Sequence, residues 1–188
     1  MSLYNLALFF HIVGVLGVFI ATAIEIVILF RMRRAQTSAQ VREWVSADAP
    51  LGAVFSVLTL LILAAGIYML FNGWNWRLPW VDVSFIALIL MNVAGAAINS
   101  RRFKAIHHAT GDTVDGPVSV ELARQVNDPI LWSSVFTIST MLVGIVYLMT
   151  LKPGWLGTLV VTVVALALGF ALGQLPRRRL EVVTTVRA

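Results

Sequence analysis

Two ionisable side chains, His11 and Glu25, interrupt an apolar run from Leu3 to Phe30 that is otherwise broken only by Asn5 and Thr22. Ionisable groups in such a run are costly, so each is a functional candidate by default. The chemistry open to an imidazole there is axial ligation of haem or a metal. A buried carboxylate handles protons or cations. Each has a structural alternative. His11 can bond a neighbouring hydroxyl or carbonyl, and Glu25 can reach toward Arg31 or another arginine, or be hydrogen-bonded for helix specificity. The two lie fourteen residues apart, which at ~100° per residue returns to within ~40° of the same direction. They therefore share a helix face, with Gly14, Val18, Ala21 and Thr22 between them.

Other chemistries have no residues to support them. The chain has no cysteine, which excludes disulfides, thiolate metal sites and thiol nucleophiles. No nucleophile–base–orienter set, glycine-rich phosphate loop or zinc spacing is visible, so a hydrolytic site is disfavoured. His107 and His108 follow Arg101, Arg102 and Lys104 on a basic extension, at the wrong end to meet His11 in one protomer. A haem on His11 would take a methionine such as Met69, or His11 of a second subunit. The run from Arg101 to His108 suits contact with anionic lipid.

The elements that must hold these groups are membrane helices. Hydrophobic residues make up 59% of the 188 positions and charged residues 12%, against about 25% charged in a soluble domain. The expected fold is all-α, a single domain over 1–188 with five transmembrane helices at about 3–30, 51–71, 80–98, 129–151 and 155–175. A span of this kind needs about 20 apolar residues. Asp48 with Pro50 and Asp128 with Pro129 read as helix starts, and Pro176 as the stop of the last span. Ala21-Thr22-Ala23 resembles a signal cleavage site. The basic residues follow that apolar run instead of preceding it, however, so the span is read as retained.

Lys and Arg set the expected direction. Of the 14, only Arg77 and Lys152 lie on one side; the rest fall in the loops 31–50 and 99–128 and the C-terminal tail. The positive-inside rule then places the N-terminus outside and the C-terminus in the cytoplasm. Trp74, Trp76, Trp80 and Trp155 form an aromatic belt on the outer side. The net charge of +5 is thus topogenic, and nucleic acid is not expected as a partner; the lipid bilayer is. In the first inner loop, Val41, Trp44 and Val45 suggest a short amphipathic helix at the headgroups with Ser38 as its cap. In the second, Thr110–Thr113 and Asp115–Pro117 read as turns and Ser119–Val126 as another short helix. No internal repeat is visible, which disfavours an inverted-repeat transporter within one chain.

Polar and small residues form stripes. They run Gly52, Ser56, Thr59 and Gly66 on the second span, Asn92, Gly95, Ala96 and Asn99 on the third, and Ser133, Thr137, Thr140, Gly144 and Tyr147 on the fourth. Close helix packing accounts for most such stripes. The fifth span, with only Thr158, Thr162 and glycines, reads as peripheral. Counting depth from the loops puts Glu25 between Asn92 and Asn99 and near Ser133 and Thr137, as an ion or proton cluster. It puts His11 level with Met69, Tyr147 and Met149, as a separate cofactor site.

Leu6–Gly14, with His11 at its centre, resembles the first span of a group of small bacterial membrane proteins. That group includes the copper-resistance D proteins and the oxygen-independent protoporphyrinogen oxidases. The stretch Asp128–Trp132 through Tyr147–Pro153 is similar to an uncharacterised family of bacterial integral membrane proteins. The resemblance implies a multi-pass protein of the bacterial inner membrane with haem b held by His11. The third span has no lysine before Lys104, unlike the oxidases, so haem contact is implied and protoporphyrinogen oxidation is not. Three functions follow as expectations. They are a haem-associated or redox-linked protein using His11, a proton- or ion-coupled transporter or channel using Glu25 in a homodimer, and a non-catalytic accessory subunit.

Overall fold

Hydrocarbon offers no partner to backbone N–H and C=O groups, so each apolar run must satisfy them internally as a helix. The computed structural model describes residues 2–74, 77–111 and 115–186, with side chains described through residue 175. Trp76, positions 112 and 113 of the expected turn, Arg187 and the side chains of Arg177, Arg178 and Arg179 lie outside the described residues. The elements are α1 Leu3–Arg34, α2 Ser38–Asp48, α3 Leu51–Gly73, α4 Pro79–Ala94, a π-helical turn Gly95–Asn99, α5 Ser100–Gly111, α6 Val120–Val126, α7 Pro129–Leu151 and α8 Trp155–Val186. Five stretches are long and apolar enough to cross a membrane: Leu3–Arg34, Ser38–Gly73, Pro79–Gly111, Val120–Leu151 and Trp155–Leu175. The protein is a five-span, all-helical membrane protein.

Helix ends follow local chemistry, with three departures from expectation. Ser119 caps α6 by accepting from the Leu122 amide, and Asp128 caps α7 by accepting from Ile130. α2 is capped by Thr37, which accepts from Gln40, and not by Ser38. The Ser38 side chain is buried and bonds the Gly116 backbone. Asp48 does not cap α3. It is the last residue of α2, and the chain stays in the right-handed helical region through Ala49 and Pro50, whereas a cap needs an extended residue. Pro176 does not end α8, which runs on to Val186. One missing amide removes a single helical bond, and the following Arg and Leu residues favour helix.

The core lies at the basic end. Ile28, Leu29 and Met32 of α1 pack there with Phe103 and Ile106 of α5 and Leu131 of α7. α2 packs its Val41 and Val45 into this core against α1 and α5; its apolar face is covered by protein, not by headgroups. The loops tie together as well. Ser38 N donates to Gly116 O at 2.9 Å and Val118 N to Gln36 O at 3.2 Å, while Arg42 reaches Thr110 O and Asp115, each at 3.0 Å.

Toward the tryptophan end the bundle opens. α1 stays paired with α3, and α7 with α8 and α4, and a small cluster of Val18, Ile62, Leu88 and Leu142 links the two sides. α8 packs chiefly on α7, where Gly169 and Gly173 let it lie against the α7 backbone at Thr137 and Ser133.

Candidate functional site

The buried face of α1 carries Gly14, Val18, Ala21, Thr22 and Glu25, with half-buried His11 one turn further toward the tryptophan end. The two ionisable groups face two separate cavities.

His11 places Nδ1 3.0 Å from the backbone carbonyl of Ile62 on α3. A carbonyl only accepts, so Nδ1 carries the hydrogen, and in the neutral ring Nε2 carries the lone pair. Among the described residues Nε2 makes no hydrogen bond. Histidine ligands are commonly oriented in this way, with one ring nitrogen donating to a carbonyl and the other left for the metal. The ring lines a cavity of about 590 Å³, mostly apolar, shared with Met69, Trp80, Ser84, Met149 and Lys152. That volume falls within the ~300–1,000 Å³ typical of cofactor sites.

The tryptophan end of this cavity is bounded by a joined cluster. Trp74 Nε1 donates to Tyr4 Oη at 3.2 Å, and Trp74 and Trp80 meet edge to face at 5.4 Å. Lys152 Nζ lies 4.1 Å from the Trp74 ring centroid. Ser84 is buried in the wall and its hydroxyl has no partner among the described residues. Met69 thus joins His11 as expected. Tyr147 does not: it is 47% exposed and absent from the lining, because α7 turns Ile145, Val146 and Met149 inward instead.

Residues present fit haem better than a bare metal ion. Among the described residues no group of three or more His, Cys, Asp or Glu is placed to hold a metal. Haem brings its own four equatorial nitrogens and asks the protein for one or two axial ligands.

Glu25 faces a smaller cavity of about 90 Å³, lined also by Asp48, Ser56, Thr59, Asn92 and Asn99. Asn99 Nδ2 donates to Glu25 Oε1 at 3.1 Å, and Asn92 Nδ2 donates to Thr59 Oγ1 at 2.7 Å. The π turn ends on Asn99 and brings it to Glu25. Thr137 is not part of this cluster. The α7 stripe faces α8: Ser133 Oγ accepts from Gln174 at 2.8 Å, Thr140 Oγ1 lies 2.8 Å from the Ala165 carbonyl, and Gly144 abuts Ala165. Nor does Glu25 reach Arg31, whose guanidinium lies over Trp44 at 5.4 Å. Glu25 makes no ion pair among the described residues.

Sequence reasoning missed Asp48, Ser84 and the Ile62 carbonyl. Asp48 carried a signal: Val41, Val45 and Asp48 recur at helical spacing on the buried face of α2. It ends α2, is half-buried, and lines the small cavity with Glu25. Ser84 stands among apolar residues of α4 with no spacing to mark it, and a backbone carbonyl has no signature at all.

Fold and sites together define a five-span helical membrane protein with an apolar cavity at one end and a small polar cavity nearer the other. Comparison with protein families, curated proteins and solved structures finds no match.

Proposed function

We propose that this chain is a multi-pass protein of the bacterial cytoplasmic membrane, N-terminus outside, that holds haem b in the outer cavity with His11 as axial ligand. The observation that carries the reading is the hydrogen bond from His11 Nδ1 to the Ile62 carbonyl. That bond leaves Nε2 as the ring's acceptor, on a side chain that lines a cavity of about 590 Å³. Met69, which lines the same cavity, or His11 of a second copy in a homodimer would be the other side chain to hold the group. Lys152 at the rim offers a cation for an anionic ring substituent, and the surrounding apolar side chains exclude water. Haem bound here supplies one-electron redox chemistry. The distribution of Lys and Arg supports the orientation, which a reporter fused to either terminus reads directly.

The test is a haem titration of the detergent-solubilised protein. A saturable Soret band at one haem per chain is expected, lost in His11→Ala and retained in Glu25→Gln. A helical wild-type protein that develops no Soret band overturns the reading.

A further inference from the structure

The cavity beside Glu25 has a composition that packing does not explain. Its polar lining is entirely oxygen- and amide-bearing: Glu25, Asp48, Ser56, Thr59, Asn92, Asn99 and Ser100, with no Lys, Arg or His. Glu25 is 6% exposed and has no ion pair among the described residues. Buried charges are ordinarily paired or bound to a cation, and here two carboxylates line one small space with no ion pair to either among the described residues. A second observation is independent of the acids. Asn99 is 5% exposed, and among the described residues its Oδ1 has no hydrogen-bond partner. Leaving a buried acceptor unmet costs about 1–3 kcal/mol. Its Nδ2 is committed to Glu25, so Oδ1 is the amide atom left to meet a ligand.

The backbone bears on the same point. The π turn Gly95–Asn99 interrupts the third span beside this cavity, and Gly95, Ala96 and Asn99 line it. π turns within α-helices occur frequently at functional sites, and membrane cation sites are typically built where a spanning helix is irregular. The size suits an ion with a few waters: about 90 Å³, where one water's share of the liquid is about 30 Å³. A divalent ion is disfavoured, because no group of three acidic or histidine ligands is assembled among the described residues. A monovalent ion is less costly to dehydrate and accepts neutral oxygens beside one or two carboxylates.

We propose that this cavity is a monovalent-cation site of the sodium class, in which Glu25 and Asp48 supply the charge and Asn99 Oδ1 a neutral oxygen ligand. The site stands apart from the haem reading and does not depend on it.

The test is thermal unfolding of the full chain in detergent at fixed pH and ionic strength, with choline chloride replaced stepwise by NaCl. The unfolding midpoint should rise saturably by several degrees, because a ligand bound only to the folded state stabilises by mass action. Glu25→Gln and Asp48→Asn should each abolish or strongly reduce the rise. Should either variant fail to fold, equilibrium binding of radioactive sodium to the wild-type protein, expected at one ion per chain, decides the matter. A matching rise with KCl supports the site. A midpoint equal in sodium, potassium and choline, or one that follows pH alone, overturns it. So does a sodium response that survives in Glu25→Gln.

Discussion

At the scale of single residues, two hydrogen bonds carry most of the account. The bond from His11 to Ile62 O leaves Nε2 as the ring's acceptor, so ¹⁵N NMR of the apo-protein should report a pyridine-type Nε2 and a protonated Nδ1; the reverse tautomer contradicts it. The bond from Asn99 to Glu25 is the carboxylate's hydrogen bond to a neighbouring helix. Asn99→Leu should therefore destabilise the bundle by about 1 kcal/mol, read from unfolding in mixed micelles.

At the scale of elements, α8 is held by close backbone approach more than by side-chain burial. A methyl group at Gly169 or Gly173 would run into the α7 backbone at Thr137 and Ser133. Gly169→Val should loosen α8 by about 1–3 kcal/mol and expose the α7–α8 interface to protease, while the hydrogen bond from His11 to Ile62 O stays intact. Gly66 differs: a Cβ there would sit 3.5 Å from the His11 ring, an ordinary contact, so Gly66→Ala should be tolerated and Gly66→Leu should displace the imidazole and reduce haem affinity. These interfaces also explain what was legible in advance. Long apolar runs and the paired caps Ser119 and Asp128 are local signals, and they located the helices well. The depth of Glu25 was countable from the loops, which is why Asn99 was anticipated as its neighbour. The partner of a stripe is not local information. Thr137 and Ser133 have the depth expected for a Glu25 cluster but face α8, and Tyr147 has the depth of His11 but points elsewhere. The π turn leaves no pattern in the residues that form it.

At the scale of the whole molecule, the bundle is closed at its basic end and open at its tryptophan end. The closed end draws on α2, α5 and α6, whose Val41, Val45, Phe103, Ile106, Leu122 and Val126 complete the core. The open end leaves a cavity of about 590 Å³ whose polar side chains include His11 and Ser84. Filling it should separate ligand binding from folding: Ser84→Phe should block the cavity while the five spans and the basic-end core remain. The central claim is that His11 binds haem there. The most direct measurement is the reduced-minus-oxidised absorption spectrum of the protein purified from haem-replete cells. A haem b difference spectrum, abolished in His11→Ala and unchanged in His108→Ala, is the predicted result. A colourless wild-type protein, or a spectrum that survives in His11→Ala, would contradict it.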